Sequence, residues 1–247
     1  MIKALSRRTL WFLIIIVWFI GGGSMLLFGA FLFTGGFQFV DFGYGPAGVF
    51  GVDIFLCFLF FIQHSVMVRP FFRTMLNKII SVEYHGAVYS IASGVVLVIL
   101  VVFWQKTEHH LYAFPSYARP FFHGIFFLTA LPCYLCFRAL DSFDALGLKP
   151  MLHQLGRTKM PSHKTAFSIT GPYRYVRHPI YLCCITAMWV CPVVSTDRFL
   201  FNVLWTAWII TGARLEESDL AVYFGEAYRN YQRRVPMLIP RSFKPRI

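Results

Sequence analysis

Long apolar stretches constrain this chain more than any other feature of its sequence. Residues 10–33, 49–68, 86–104 and 121–137 carry almost no charge, and each is close to the ~20 residues that a helix needs to cross a bilayer. Two shorter apolar runs follow at residues 180–195 and 199–213. A segment in lipid must satisfy its own backbone hydrogen bonds, which favours helix. The expected fold is therefore an all-α integral membrane protein: a bundle of five to six transmembrane helices with a cytoplasmic C-terminal helical cap.

The composition agrees with a protein that is partly covered by lipid. Apolar, aromatic and cysteine residues make up 57% of the chain and charged residues only 14%, against about 25% charged in soluble domains. The net charge of +12 comes from basic residues in short loops between the apolar runs. This pattern indicates membrane lipid rather than nucleic acid as the partner. The six cysteines all fall in apolar runs, so we expect small buried side chains and no metal site.

The distribution of Lys and Arg predicts the orientation. If the N-terminus is cytoplasmic and all six runs cross, 20 of the 23 basic residues lie on the cytoplasmic side. The three others are Lys106, Arg119 and Arg198. Such an excess is the positive-inside signal, and it puts both termini in the cytoplasm.

We expect a single membrane domain over residues 1–247. Its parts would be four N-terminal transmembrane helices (1–140), a cytoplasmic loop (141–179) and a helical hairpin with a C-terminal cap (180–247). The last two runs are short for full spans, so the sequence leaves open whether both cross. It also leaves the oligomeric state open.

Two polar clusters flank the last pair of apolar runs. Arg177 and His178 precede Pro179, a residue that suits the first turn of a helix, so both are expected at a helix N-terminus, where an anion is favoured. Glu216 and Glu217 lie where the last run ends. A hairpin would bring these clusters together, either as a site for a ligand with both charges or as a structural salt bridge.

A third polar group, Gln63-His64-Ser65, lies inside the second apolar run. At 1.5 Å per residue, His64 would sit about 7 Å below the cytoplasmic boundary at Arg69. Polar residues inside a span are functional by default, although hydrogen bonding between helices is the alternative. Asp53, in the same run, is expected to be structural.

The C-terminal clusters resemble the isoprenylcysteine carboxyl methyltransferase superfamily of membrane enzymes. The matching residues are Arg177-His178-Pro179-x-Tyr181, Glu216-Glu217, Tyr228-x-x-Tyr231 and Val235-Pro236. Other segments are similar to the bacterial methanethiol S-methyltransferases within it: Gln63-His64-Ser65-Val66-Met67-x-Arg69-Pro70, Phe143-Asp144-x-x-Gly147-Leu148 and Gly225-Glu226-x-Tyr228. The first of these also resembles denitrification-associated membrane proteins of the NnrU type.

The resemblance implies a bacterial inner-membrane enzyme that uses S-adenosyl-L-methionine to methylate a small thiol, methanethiol, to dimethyl sulfide. The implied cofactor-binding residues are Tyr173, Arg177, His178, Pro179, Tyr181, Glu216 and Glu217. The candidate catalytic residues are His64, as the base that takes the thiol proton, and Gln63, Arg174 and Tyr175, which would orient the thiol.

Three alternatives remain. One is methylation of a larger acceptor, an isoprenylcysteine carboxylate or a lipid amine. Another is reduction by a nicotinamide cofactor, as in the related sterol reductases. The last is a non-enzymatic membrane protein.

Overall fold

The computed structural model describes residues 5–140, 144–158 and 169–241. Most of these residues are helical, which confirms the expected class. By contacts the chain forms two compact units: Met1–Glu108 with Asp144–Ser162, and His109–Phe143 with His163–Ile247. Part of the predicted loop 141–179, including Phe143 of the matching segments, lies outside the described residues.

The elements follow one another in a simple order. The α-helices are α1 Arg7–Val17, α2 Gly23–Thr34, α3 Pro46–Met67, α4 Pro70–Leu76, α5 His85–Phe103, α6 Arg119–Leu128, α7 Ala130–Ala139, α8 Lys149–Gln154, α9 Pro179–Trp189, α10 Thr196–Phe224 and α11 Glu226–Arg234. The strands are β1 His110–Ala113 and β2 Val193–Ser195. A π-helical turn, Trp18–Gly22, joins α1 to α2, and 3-10 turns lie at Val82–Tyr84, Ser116–Ala118 and Gly171–Arg174.

Four continuous helical segments in the described part of the chain are long and apolar enough to cross a membrane: Arg7–Thr34, Pro46–Met67, Val82–Phe103 and Ser116–Ala139. They correspond to the first four predicted spans. Large apolar side chains point outward from them, among them Phe19 (78% exposed) and Leu26 (74%). In water such a surface would be costly, so these faces suit contact with lipid.

In the first unit, α5 packs closely against its neighbours because glycines allow it. A Cβ on Gly94 would lie 2.7 Å from the backbone oxygen of Ile20, in the π-helical turn. A Cβ on Gly86 would lie 2.7 Å from Cα of Gly147, which itself has a φ of +67°. This contact fixes the 144–148 segment on the start of α5. The carboxylate of Asp53 accepts the backbone N–H of Gln105 at 2.9 Å, in keeping with a structural role.

In the second unit, the predicted apolar run 180–195 is not one helix, which corrects the expectation. The helix α9 ends at Trp189, and residues 193–195 form β2, which pairs antiparallel with β1. Pro192 explains the break, since proline cannot donate the next helical hydrogen bond and restricts the residue before it. The purely α-helical expectation therefore missed a short two-stranded sheet.

The last apolar run also differs from its predicted bounds. The helix α10 begins at Thr196 and continues to Phe224, eleven residues beyond the predicted end at 213. Its first turn buries Arg198, which is only 1% exposed and donates from Nη2 to the carbonyl of Met188 at 3.2 Å. Its last turns carry Glu216 and Glu217, so these carboxylates lie on a rigid helix and not on a loop.

Candidate functional site

The segment before α9 is held by the chain that follows α11. The backbone N–H of Arg177 donates to the carbonyl of Pro236 at 2.9 Å, and that of His178 donates to Met237 at 3.0 Å. Pro179 occupies the first turn of α9, as the sequence predicts, and His178 is its N-cap residue. These two backbone hydrogen bonds therefore fix Arg177 and His178 at the start of α9.

Arg177 and Glu217 form a nearly buried ion pair. Arg177 Nε lies 2.6 Å from Glu217 Oε1, and Nη2 lies 3.0 Å from Oε2, a bidentate arrangement. Nη1 donates to the carbonyls of Gln232, at 3.0 Å, and Val235. The side chains of Arg177 and Glu217 are 11% and 10% exposed. One guanidinium thus joins α10 to the end of α11.

Glu217 has further partners at the same place. His178 Nε2 lies 3.0 Å from its Oε1, and Gln232 Nε2 donates to its Oε2 at 3.1 Å. Burial raises the pKa of Glu217, but the hydrogen bonds and charge of Arg177, with Gln232 and His178, lower it by more. The pKa of Glu217 therefore lies below its usual value, and the side chain is a carboxylate at neutral pH.

The neighbouring Glu216 is in a different environment. Its side chain is 47% exposed, and the hydroxyl of Tyr181 donates to its Oε2 at 2.7 Å. The ring of Tyr181 stacks on that of His178, with centroids 5.2 Å apart and planes 2° apart. The carboxylate of Glu216 is therefore exposed enough to accept further hydrogen bonds, whereas that of Glu217 is nearly buried among its partners.

Tyrosines form the other side of this cluster. The hydroxyl of Tyr231 donates to the carbonyl of Tyr173 at 2.6 Å, which ties α11 to the turn Gly171–Arg174. Tyr228 and Tyr231 pack with Val235 in a small buried cluster. Burial raises the pKa values of Tyr173, Tyr228 and Tyr231. Their hydroxyls therefore stay protonated, and that of Tyr231 acts as a donor.

A cavity of about 350 Å³ adjoins the start of α9. Two helical stripes form most of its wall. One stripe contains Ile125 of α6, Thr129 between α6 and α7, and Cys136 of α7. The other contains Pro179, Cys183 and Thr186 of α9. Tyr175 also lines the cavity, while Arg174, beside it, is exposed. The lining is almost entirely apolar, so the cavity suits an apolar group.

The structure thus brings most of the predicted residues together. Within the second unit, one cluster contains Tyr173, Arg177, His178, Pro179, Tyr181, Glu216 and Glu217, and Arg174 and Tyr175 lie on the adjoining turn. The contact between Arg177 and Glu217 is also the salt bridge that the sequence left open as an alternative.

Gln63 and His64 lie in the first unit, on α3. The hydroxyl of Tyr89, on α5, lies 2.6 Å from His64 Nε2, and Gln63 Nε2 donates to Ser93 Oγ at 3.2 Å. The ring of Phe60 also contacts His64, with centroids 5.2 Å apart. The polar residues of two neighbouring helices therefore meet inside the first unit.

Several residues of these clusters were missed by the sequence analysis. Tyr89 and Ser93 are polar, four residues apart and inside an apolar run, so their helical spacing was a usable signal. Gln232 carried no such signal, and neither did the neighbouring free thiols of Cys136 and Cys183. Gln232 belongs to a polar helix, and nothing in the sequence distinguishes these two cysteines from the other four.

The chain is similar in sequence to known methyltransferases. It is 32% identical to methanethiol S-methyltransferase 2 of Bradyrhizobium diazoefficiens over 79% of its own length and 74% of that protein. It is 33% identical to the methanethiol S-methyltransferase of Pseudomonas deceptionensis, over 76% and 72%. It is also 29% identical to nurim of Xenopus laevis, over 69% and 62%. No family model matches the chain, and no solved structure matches it.

Proposed function

This chain belongs to the family of the methanethiol S-methyltransferases, and from that premise we propose that it transfers a methyl group to the sulfur of a small thiol, methanethiol. The observation that carries the proposal is the similarity, over three quarters of the chain, to enzymes of that name in separate bacteria. The predicted membrane helices and the apolar cavity agree with an apolar, volatile acceptor. We infer from the bacterial relatives that the protein lies in an inner membrane.

We propose S-adenosyl-L-methionine as the methyl donor, held by the cluster at the start of α9. The residues fit a ligand that carries hydroxyls and both charges. The exposed carboxylate of Glu216 accepts donors such as ribose hydroxyls, and the N-terminus of α9 favours the carboxylate of the ligand. When bound, this cofactor supplies a methyl group activated by the positive charge of a sulfonium.

The cluster contains two kinds of residue in this proposal. Glu216, Tyr181 and Tyr173 contact the cofactor, whereas Arg177 and Glu217 act as positioning residues because their polar atoms are already paired with each other and with α11. His178 links the two groups, since its ring stacks on Tyr181 and reaches Glu217. Pro179 sets the start of α9.

The acceptor requires a group that takes the thiol proton, because the thiolate is the nucleophile. We propose His64 for this role, with Gln63, Arg174 and Tyr175 as the residues that orient the thiol. An imidazole is a suitable base near neutral pH. The lining of the cavity is apolar, and a poorly hydrated acceptor favours a step in which opposite charges are neutralised.

The test is production of dimethyl sulfide from methanethiol and S-adenosylmethionine by the detergent-purified protein, measured by gas chromatography of the headspace. Calorimetry with S-adenosylhomocysteine runs beside it. We expect micromolar binding in the wild type and at least tenfold weaker binding in Glu216→Gln. The matched control is Glu108→Gln, which alters an exposed carboxylate in the other unit. Folded wild-type protein that neither binds S-adenosylhomocysteine nor forms dimethyl sulfide would refute the proposal.

A further inference from the structure

The cavity beside α9 is too large for methanethiol alone. Its volume is about 350 Å³, which is in the range of pockets that hold drug-sized ligands, roughly 300–1,000 Å³. A water molecule takes about 30 Å³ in the liquid, and methanethiol, with a single carbon and a single sulfur, takes a few times that volume. Most of the cavity would remain empty behind it.

The shape of the lining matches a chain and not a compact group. On α9 the wall is a single stripe that runs from Pro179 through Leu182 and Cys183 to Thr186. This spacing covers two helical turns, about 10 Å along the axis. Ile125, Thr129 and Cys136 face it at the same helical spacing. The cavity is therefore elongated along α9.

One end of this cavity adjoins the cluster proposed to hold the cofactor. Pro179 lines it and directly follows His178, and Tyr175 lines it two residues before Arg177. Its wall also includes Leu128, which is 67% exposed on a helix apolar enough to face lipid. An apolar chain can thus enter from the lipid side with its reactive end at the start of α9.

We propose that this cavity binds the alkyl chain of a lipophilic thiol, so that the acceptors include alkanethiols much longer than methanethiol. The inference rests on the proposed function and names a wider substrate class for the same site. The acceptor sulfur gains a bond to the methyl carbon. That carbon's bond to the donor sulfur breaks, with its electron pair left on the donor, and the thiol proton leaves to a base.

The first experiment compares methanethiol, 1-butanethiol and 1-octanethiol as acceptors for the wild-type protein. We expect kcat/KM to rise roughly fourfold for each methylene that the cavity removes from water. Thr186→Phe places a ring in the far end of the cavity, so the ratio of kcat/KM for 1-octanethiol to that for methanethiol should fall at least tenfold. Gly124→Phe is the matched control, because a Cβ at Gly124 meets no atom within 4 Å and Gly124 does not line the cavity; its ratio should stay at the wild-type value.

The second experiment does not depend on activity. Methyl octyl sulfide carrying an aliphatic diazirine on its chain is photolysed with the wild-type protein, and the labelled peptides are identified by mass spectrometry. We expect labels on residues 125–136 and 179–186, and excess 1-octanethiol should displace them. Labels spread over all lipid-facing helices and not displaced by the thiol would overturn the inference.

Failure of the inference is distinguishable from failure of the proposed function. Methylation of methanethiol without methylation of 1-butanethiol or 1-octanethiol would overturn the inference and leave the proposed function intact. No methylation of any thiol would overturn both. If folded Thr186→Phe keeps the wild-type ratio of kcat/KM for 1-octanethiol to that for methanethiol, the alkyl chain binds elsewhere. That result would also refute the inference.

Discussion

Two adjacent carboxylates, Glu216 and Glu217, have different environments although they are one residue apart. On a helix consecutive side chains point about 100° apart, so one faces the packed end of α11 and the other faces outward. Glu217 is surrounded by Arg177, His178 and Gln232, whereas Tyr181 donates to the exposed Glu216. We therefore expect Glu217 to contribute mainly to stability, and Glu216 is the carboxylate proposed to bind the cofactor.

Glu217→Gln should destabilise the protein. Breaking a buried ion pair costs about 3 kcal/mol, because the remaining charge, here Arg177, is left without its partner. We expect a lower midpoint in thermal unfolding, followed by tryptophan fluorescence in detergent, while Glu108→Gln unfolds as the wild type does. An unchanged midpoint for Glu217→Gln would mean that the ion pair contributes nothing to stability.

The same residue predicts a pH dependence. Because the pKa of Glu217 in the folded protein lies below its unfolded value of 4.5, its contribution is fully present above that pH and is lost as the pH falls through the folded pKa. The wild-type midpoint should therefore fall more steeply below pH 4.5 than that of Glu217→Gln. Parallel acid slopes in thermal unfolding at several pH values would contradict this.

His64→Ala tests the proposed base. Loss of a general base typically lowers the rate by 10² to 10⁴-fold, so we expect kcat for methanethiol to fall within about this range while binding of S-adenosylhomocysteine is retained. Activity should recover as the pH rises towards the pKa of the thiol, because the acceptor then ionises unaided. Full activity across the whole pH range would exclude His64 from this role. Glu108→Gln, which alters an exposed carboxylate, is the control and should keep wild-type activity.

Among the helices, α5 depends on glycine at its closest contact. Gly86→Ala would place a Cβ 2.7 Å from Cα of Gly147, a distance that side chains do not adopt without displacement of the backbone. Overpacking of this kind costs about 1–3 kcal/mol. We expect a lower unfolding midpoint, whereas Gly124→Ala, which meets no atom within 4 Å, should have no effect through packing. Equal midpoints for the two variants would show that the 144–148 segment can move away from α5 at little cost in free energy.

The elements that follow α7 show how a local break reorganises an apolar run. Because Pro192 ends helix formation near Trp189, the chain forms β2 and begins α10 at Thr196. The pairing of β2 with β1 places the α9–α10 connection beside the 110–113 segment. Both segments fall on the outer side in the topology predicted from Lys and Arg, so the observed pairing agrees with it.

For the whole molecule, the expected orientation leads to a reporter test. An excess of Lys and Arg on one side directs insertion, so alkaline phosphatase fused after residue 115 should be active and the same enzyme fused after residue 160 should be inactive. A fluorescent protein, which matures in the cytoplasm, should give the reverse pattern at the two positions. Activity after residue 160 with none after residue 115 would invert the proposed topology. Arg198, one of the three basic residues predicted on the outer side, is buried in the first turn of α10.

The sequence alone was sufficient for the membrane class, four apolar helices and the proximity of Arg177 to Glu217. These features depend on local composition and on short motifs, which can be read from the sequence without knowledge of distant contacts. Only the tertiary structure decided which carboxylate is buried, since that depends on how α10 faces Gln232 and Val235. It also decided that Cys136 and Cys183 line a cavity, and that residues 193–195 form a strand, because these properties depend on partners distant in the chain.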